Sequence, residues 1–197
     1  MNPSYHVRIE GPTNPKEFVE KWSKYYSYSN EEKYNNHILS VLDNQDSFLQ
    51  LFQWKNGTGN VISKPKMKVV EGFLIKYDIL KELRSHFSWK IYEDEFQPMK
   101  SSSIWKIFLL HLINPFEFPI YDQHVFRFYY FFLEGKITEI SNNHSIVYKS
   151  YKEYYQPWFN EYRKKYNLYP KKMDESFFVF GQMLKGIKNY PIEVSKE

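Results

Sequence analysis

Between Ser101 and Gly135 the chain spells out two consecutive helices together with their starts and stops, and this pair constrains the fold more than any other stretch. Ser101-Ser102-Ser103 supplies hydroxyl caps, and the apolar run Ile104 to Ile113 follows until Asn114-Pro115 stops it. Serine oxygens accept the N–H groups that a helix start leaves unbonded, and proline cannot continue the helical ladder. A connector through Pro119 then delivers Asp122, another good capping residue, ahead of Val125 to Leu133. Gly135 ends that segment, since glycine takes the left-handed backbone of a helix end without strain.

The rest of the chain carries the same period. Pro15 to Trp22 opens a helix, with Asn14 as its cap and Phe18, Trp22 and Tyr25 on one face. Another begins near Asn30, sets Glu31 and Glu32 against the helix dipole, and is expected to bury Ile38, Leu39 and Leu42. Asp46 starts a segment through Phe48, Leu51, Phe52 and Trp54. The turn Lys55 to Asn60 lacks the lysine and hydroxyl residue that a phosphate loop needs. Val69, Val70, Phe73, Leu74, Tyr77, Leu80 and Leu83 predict one helix from about Lys66 to Ser85, interrupted only by Gly72. Glu93-Asp94-Glu95 and Gln97 to Lys100 break the pattern. Two later helical stretches run from Tyr148 to Tyr166, with Pro157 forcing a kink or break, and from Asp174 to Lys188.

No repeat, long linker or series of alternating strands is present. The expectation is therefore a mainly α fold, one compact multi-helix domain over 1–197, with a C-terminal helical layer at 145–197 and room for a brief strand near the N-terminus. Its interior is built from rings, because 20% of the residues are aromatic, with 18 Tyr and 17 Phe. Tyrosine hydroxyls buried in such a core need partners.

Several function classes are excluded or disfavoured by composition. The chain has no cysteine, which removes disulfides, thiol nucleophiles, thiolate zinc sites and cysteine-ligated iron–sulfur clusters, and fits a cytoplasmic protein. The apolar windows 104–113 and 125–133 are shorter than the roughly 20 residues of a membrane span. The first eight residues lack the basic-then-apolar layout of a secretory signal. Six histidines are scattered without short ligand spacing, so no metal is expected, and His111 reads as a hydrogen-bonded core residue. A net charge of +4 favours acidic partners such as nucleic acid.

The chemistry-bearing cluster is Asp122, His124, Val125, Phe126 and Arg127. With the serine-capped helix before it, this arrangement resembles the helix-hairpin-helix DNA glycosylase superfamily, and especially its endonuclease III-like and 8-oxoguanine glycosylase-like members. In that superfamily a hairpin and its following helix precede a loop carrying the catalytic aspartate, here Asp122. The resemblance places the helix-hairpin-helix element at about 86–113. It implies duplex DNA as partner and release of a damaged or modified base from its sugar. Bifunctional members carry a lysine where this chain has Ser102 or Ser103, which implies a monofunctional hydrolase using an activated water. Lys100, Ser101, His124 and Arg127 are the implied DNA contacts. The family's cluster-binding cysteines are missing, so no cofactor is expected, and its hairpin glycines are also missing from Gln97 to Ser103.

Each of these residues also has an ordinary structural role. Asp122 serves as a helix cap whether or not it does chemistry, His124 as a packing residue, and Arg127 as an internal ion-pair donor. A non-enzymatic DNA-binding or protein-interaction module on the same fold is the alternative. Two further stretches, Tyr148 to Tyr155 and Glu161 to Tyr166, interleave cations with tyrosines, which suits nucleic acid as well as a solvated helix face. Asp174 to Phe180 reads as a capped helix feeding its aromatic face into the core.

Overall fold

The computed structural model describes residues 7–10, 14–57, 61–189 and 192–195. The fold is mainly α. In chain order the elements are β1 (Val7–Glu10), α1 (Pro15–Ser23), α2 (Glu31–His37), α3 (Gln45–Asn56), α4 (Lys64–Ile75), α5 (Tyr77–Ser85), α6 (Trp89–Phe96) and α7 (Ser103–Ile113). They continue with α8 (Gln123–Glu134), α9 (His144–Ser150), a π-helical turn (Tyr151–Tyr155), α10 (Gln156–Tyr166), α11 (Pro170–Ile187) and β2 (Ile192–Ser195). Two compact units result: Ser27–Phe118, holding α2 to α7, and a discontinuous one of Met1–Tyr26 and Pro119–Glu197. No described helix is long and apolar enough to cross a membrane.

In the Ser27–Phe118 unit, α7 is the central element, buried from Trp105 to Ile113. A helix apolar all round must be enclosed on every side. The ring of Phe52 helps to do so, lying 5.1 Å from Trp105 and 5.3 Å from Phe108. His111 satisfies both ring nitrogens in this core: the Phe118 carbonyl can only accept, so Nδ1 donates to it at 2.8 Å and Nε2 accepts from the Tyr34 hydroxyl at 2.8 Å.

Four expectations change here. Helix α2 ends at His37 and buries Tyr34; Leu42 is buried, but Leu39 is 75% exposed. Leu39 lies past the end of α2, between it and a turn closed by Asp43 and Asn44 on the Ser40 carbonyl, so it does not continue the buried face of the helix. The helix expected over 66–85 is two helices, and the break falls at Lys76 (φ −103°, ψ 25°) rather than at Gly72. Lys76 Nζ donates to both the backbone carbonyl and the carboxylate of Glu95, each at 2.7 Å, which holds the corner. Glu93 to Glu95 do not interrupt the helical pattern but belong to α6, capped by Ser88. Within the turn expected from Lys55, α3 runs through Asn56 and Gly57 adopts φ 85°; residues 58–60 lie outside the described residues.

In the discontinuous unit, β1 and β2 pair in parallel, Val7 opposite Ile192 and Glu10 opposite Ser195. The 18-residue α11 is the spine, packed by α8 and α1. Phe128 stacks on Phe177 at 4.0 Å, and Trp22 meets Phe180 edge-on at 4.9 Å. Helix α11 starts at Pro170 rather than Asp174, because proline suits the first helical turn, and Asp174 is carried into the buried interior. Pro157 likewise falls in the first turn of α10, just after the π-helical turn.

Candidate functional site

Asp122 follows a short connector that is tied to two later helical segments. The Tyr151 hydroxyl donates to the Pro119 carbonyl at 3.2 Å, and the Ile120 N–H donates to Asp174 Oδ2 at 3.4 Å. Tyr121 is fully buried, its ring 4.8 Å from Tyr155 and its hydroxyl 3.3 Å from Ser150 Oγ. Asp122 itself is half-buried and caps α8: Oδ1 accepts from His124 N at 2.8 Å and Val125 N at 3.1 Å. Two N–H donors and the positive end of α8 stabilise negative charge on this carboxylate.

One turn further along, His124 and Arg127 are tied together. Arg127 is 2% exposed; Nε and Nη2 donate to Glu139 Oε2 at 3.0 and 2.7 Å, and Nη1 donates to His124 Nδ1 at 3.1 Å. Guanidinium has no acceptor, so Nδ1 of His124 is unprotonated and the ring carries its hydrogen on Nε2. Burial, then the Arg127 charge, lowers the pKa of His124 below 6.5, against the opposing pull of Asp122 and a bond to the Gly181 backbone. Glu139 is held below the usual carboxylate range, first by the Arg127 hydrogen bond and further by Lys188. Arg127 therefore stands as an internal ion-pair donor, with its guanidinium committed to its own unit.

Lys100, Ser101, Ser102 and Ser103 belong to the Ser27–Phe118 unit, at the turn between α6 and α7. Ser102 caps α7, its Oγ accepting from Trp105 N at 3.4 Å. Ser101 is half-buried with its hydroxyl on the Ser102 carbonyl, Ser103 is 2% exposed, and Lys100 is exposed. Lys106 is 7% exposed and donates to the Gln97 carbonyl at 2.6 Å, tying the turn to the helix; burial lowers its pKa. The chain thus gathers Asp122, His124 and Arg127 in one unit, and the serines with Lys100 in the other.

The partners of Arg127 and of the segment before Asp122 carry little local signal in the sequence. Glu139 lies in a polar connector with no motif around it. Tyr151 and Tyr155, both 0% exposed, sit in a stretch read as a cationic tyrosine surface, where their four-residue spacing was the only signal. Burial pushes the Tyr155 hydroxyl well above its ordinary range, and nearby Asp174 adds to the shift.

Compared with known proteins, the chain matches no family, no curated protein and no solved structure. What its geometry defines is a class, a mainly α protein with a capped and half-exposed carboxylate at a helix start.

Proposed function

We propose that this chain is a DNA-binding protein that hydrolyses a damaged or modified base from its sugar, with Asp122 as the catalytic carboxylate. The observation that carries the reading is the placement of Asp122: half-buried rather than sealed, capping the N-terminus of α8, and preceded by a segment whose Pro119 carbonyl and Ile120 N–H are bonded to Tyr151 and Asp174. Breaking a glycosidic bond builds positive charge on the sugar, and a fixed carboxylate beside it lowers that barrier without itself gaining a proton. A base in duplex DNA must first leave the stack. Ser101, Ser102 and Lys100 at the start of α7 supply hydroxyls, N–H groups and a cation suited to a backbone phosphate.

The test is base release from a panel of lesion-containing duplexes, comparing the intact chain with Asp122→Asn. Release by the first and not the second supports the proposal.

A second reading is favoured by a different observation. Asp122 Oδ1 is already engaged by two N–H groups, Ser102 is engaged as a cap, and Ser103 is buried, so each has a sufficient structural role. On that reading the chain binds DNA without reaction, and salt-sensitive duplex binding survives Asp122→Asn.

A further inference from the structure

The net charge of the chain is confined to one unit. Ser27–Phe118 has eleven Lys and Arg against eleven Asp and Glu, whereas the discontinuous unit has sixteen against twelve. Within it, α10 carries Trp158, Tyr162 and Tyr166 at four-residue spacing, so the three rings form one stripe along the helix. Trp158 and Tyr162 are stacked at 5.1 Å, and Tyr162 and Tyr166 follow at 4.8 Å. Trp158 anchors the stripe in the core, 5.0 Å from Tyr129 and 5.8 Å from Phe177, and Phe132 of α8 backs Tyr162 at 5.7 Å, yet each of the three α10 rings keeps a partly exposed edge. A stripe serving only the core would be covered.

Cations border the open end of this stripe. Lys164 and Lys165 are exposed, neither has an acidic partner among the described residues, and Lys165 Nζ lies 5.2 Å from the centre of the Tyr166 ring. Tyr162 is the only described ring against Tyr166, so the partly exposed ring at the end of the ladder has no second aromatic partner among the described residues. Unpaired bases stack on such rings while the phosphates between them meet lysines, a combination that is tolerant of sequence. Duplex DNA hides its base faces and gains only the charge term.

We infer that the α10 face of Trp158, Tyr162 and Tyr166, bordered by Lys164 and Lys165, binds the unpaired bases of single-stranded nucleic acid. This binding does not depend on chemistry at Asp122. The test is fluorescence anisotropy of the full chain with labelled oligo-dT of about 15 nucleotides, an abasic strand of equal length and a duplex, at about 50 mM salt. Oligo-dT is expected to bind at least about tenfold tighter than the abasic strand. Tyr166→Ala at the ladder's end is expected to remove about tenfold of that affinity, and Lys164→Glu with Lys165→Glu more, while circular dichroism stays unchanged. Asp122→Asn is expected to bind oligo-dT as the intact chain does. Equal affinity for the oligo-dT and abasic strands, oligo-dT binding indifferent to the α10 substitutions, or no binding at low salt would each overturn the inference.

Discussion

Gly181 of α11 lies directly against the backbone of His124 in α8, so close that a Cβ at this glycine would overlap the His124 carbonyl carbon and oxygen. The contact joins the helix that starts at Asp122 to the spine of its unit, and it fixes where the start of α8 lies. Backbone cannot move aside as a flexible side chain can. Gly181→Ala is expected to destabilise the protein by about 1–3 kcal/mol through overpacking, read as a lowered urea midpoint. Gly186, five residues along the same helix, has nothing within 4 Å of the same position. Gly186→Ala is expected to be neutral or stabilising by up to about 1 kcal/mol, because alanine favours the helix.

The buried Arg127 and the half-exposed Glu139 predict an asymmetric response. Glu139→Ala leaves a guanidinium in the core with only His124 and Gln123 as acceptors, and is expected to cost about 1–3 kcal/mol, less than a fully buried pair because Glu139 is 48% exposed. Arg127→Met removes the buried charge while keeping much of the volume and is expected to cost less. Urea unfolding of the two variants and the double variant checks the order; equal losses would contradict it.

Acid should weaken the same cluster in two stages. His124 has a folded pKa below its unfolded value near 6.5, so the unfolded chain binds more protons there and stability falls as pH drops from about 7 through that folded value. Glu139 also has a lowered pKa, so its contribution is present above about 4.5 and is lost as pH falls through its folded value. Urea midpoints from pH 8 to pH 4 are expected to decline, and His124→Gln is expected to flatten the upper stage alone.

Capping at the start of α7 is testable without any nucleic acid. Ser102→Ala removes the side-chain acceptor for Trp105 N, leaving only the Ser102 carbonyl at 3.2 Å, and is expected to cost up to about 1 kcal/mol, while Ser102→Asp retains the cap. Ser101→Ala, whose hydroxyl only reaches the Ser102 carbonyl, is expected to change stability less.

These contacts also show what the sequence makes legible. The boundaries of α7 and α8 were readable because Ser102, Asn114, Asp122 and Gly135 act locally, within a turn of the residues they cap. The corner at Lys76 was not, because it is held by Glu95, nineteen residues away. Asp174 looked like a cap since its type favours one, but Pro170 supplied an earlier start and packing drew the acid inside. Asp122 could be found from its spacing to His124 and Arg127. The residues that tie down its surroundings, Tyr151 and Asp174 on the segment before it and Glu139 on Arg127, come from distant segments and have no local signature.

A catalytic role for Asp122, the charge proposed to release a base, is open to a test that leaves the fold intact. Asparagine keeps a capping oxygen for the N–H groups of His124 and Val125, so Asp122→Asn preserves the start of α8 while removing the charge. Single-turnover base release from a lesion-bearing duplex, measured beside duplex affinity, is the most direct measurement. A catalytic Asp122 requires unchanged affinity and a loss of release of at least about a hundredfold in Asp122→Asn. Release at the same rate in both proteins, or none from the intact chain across the panel, would contradict it.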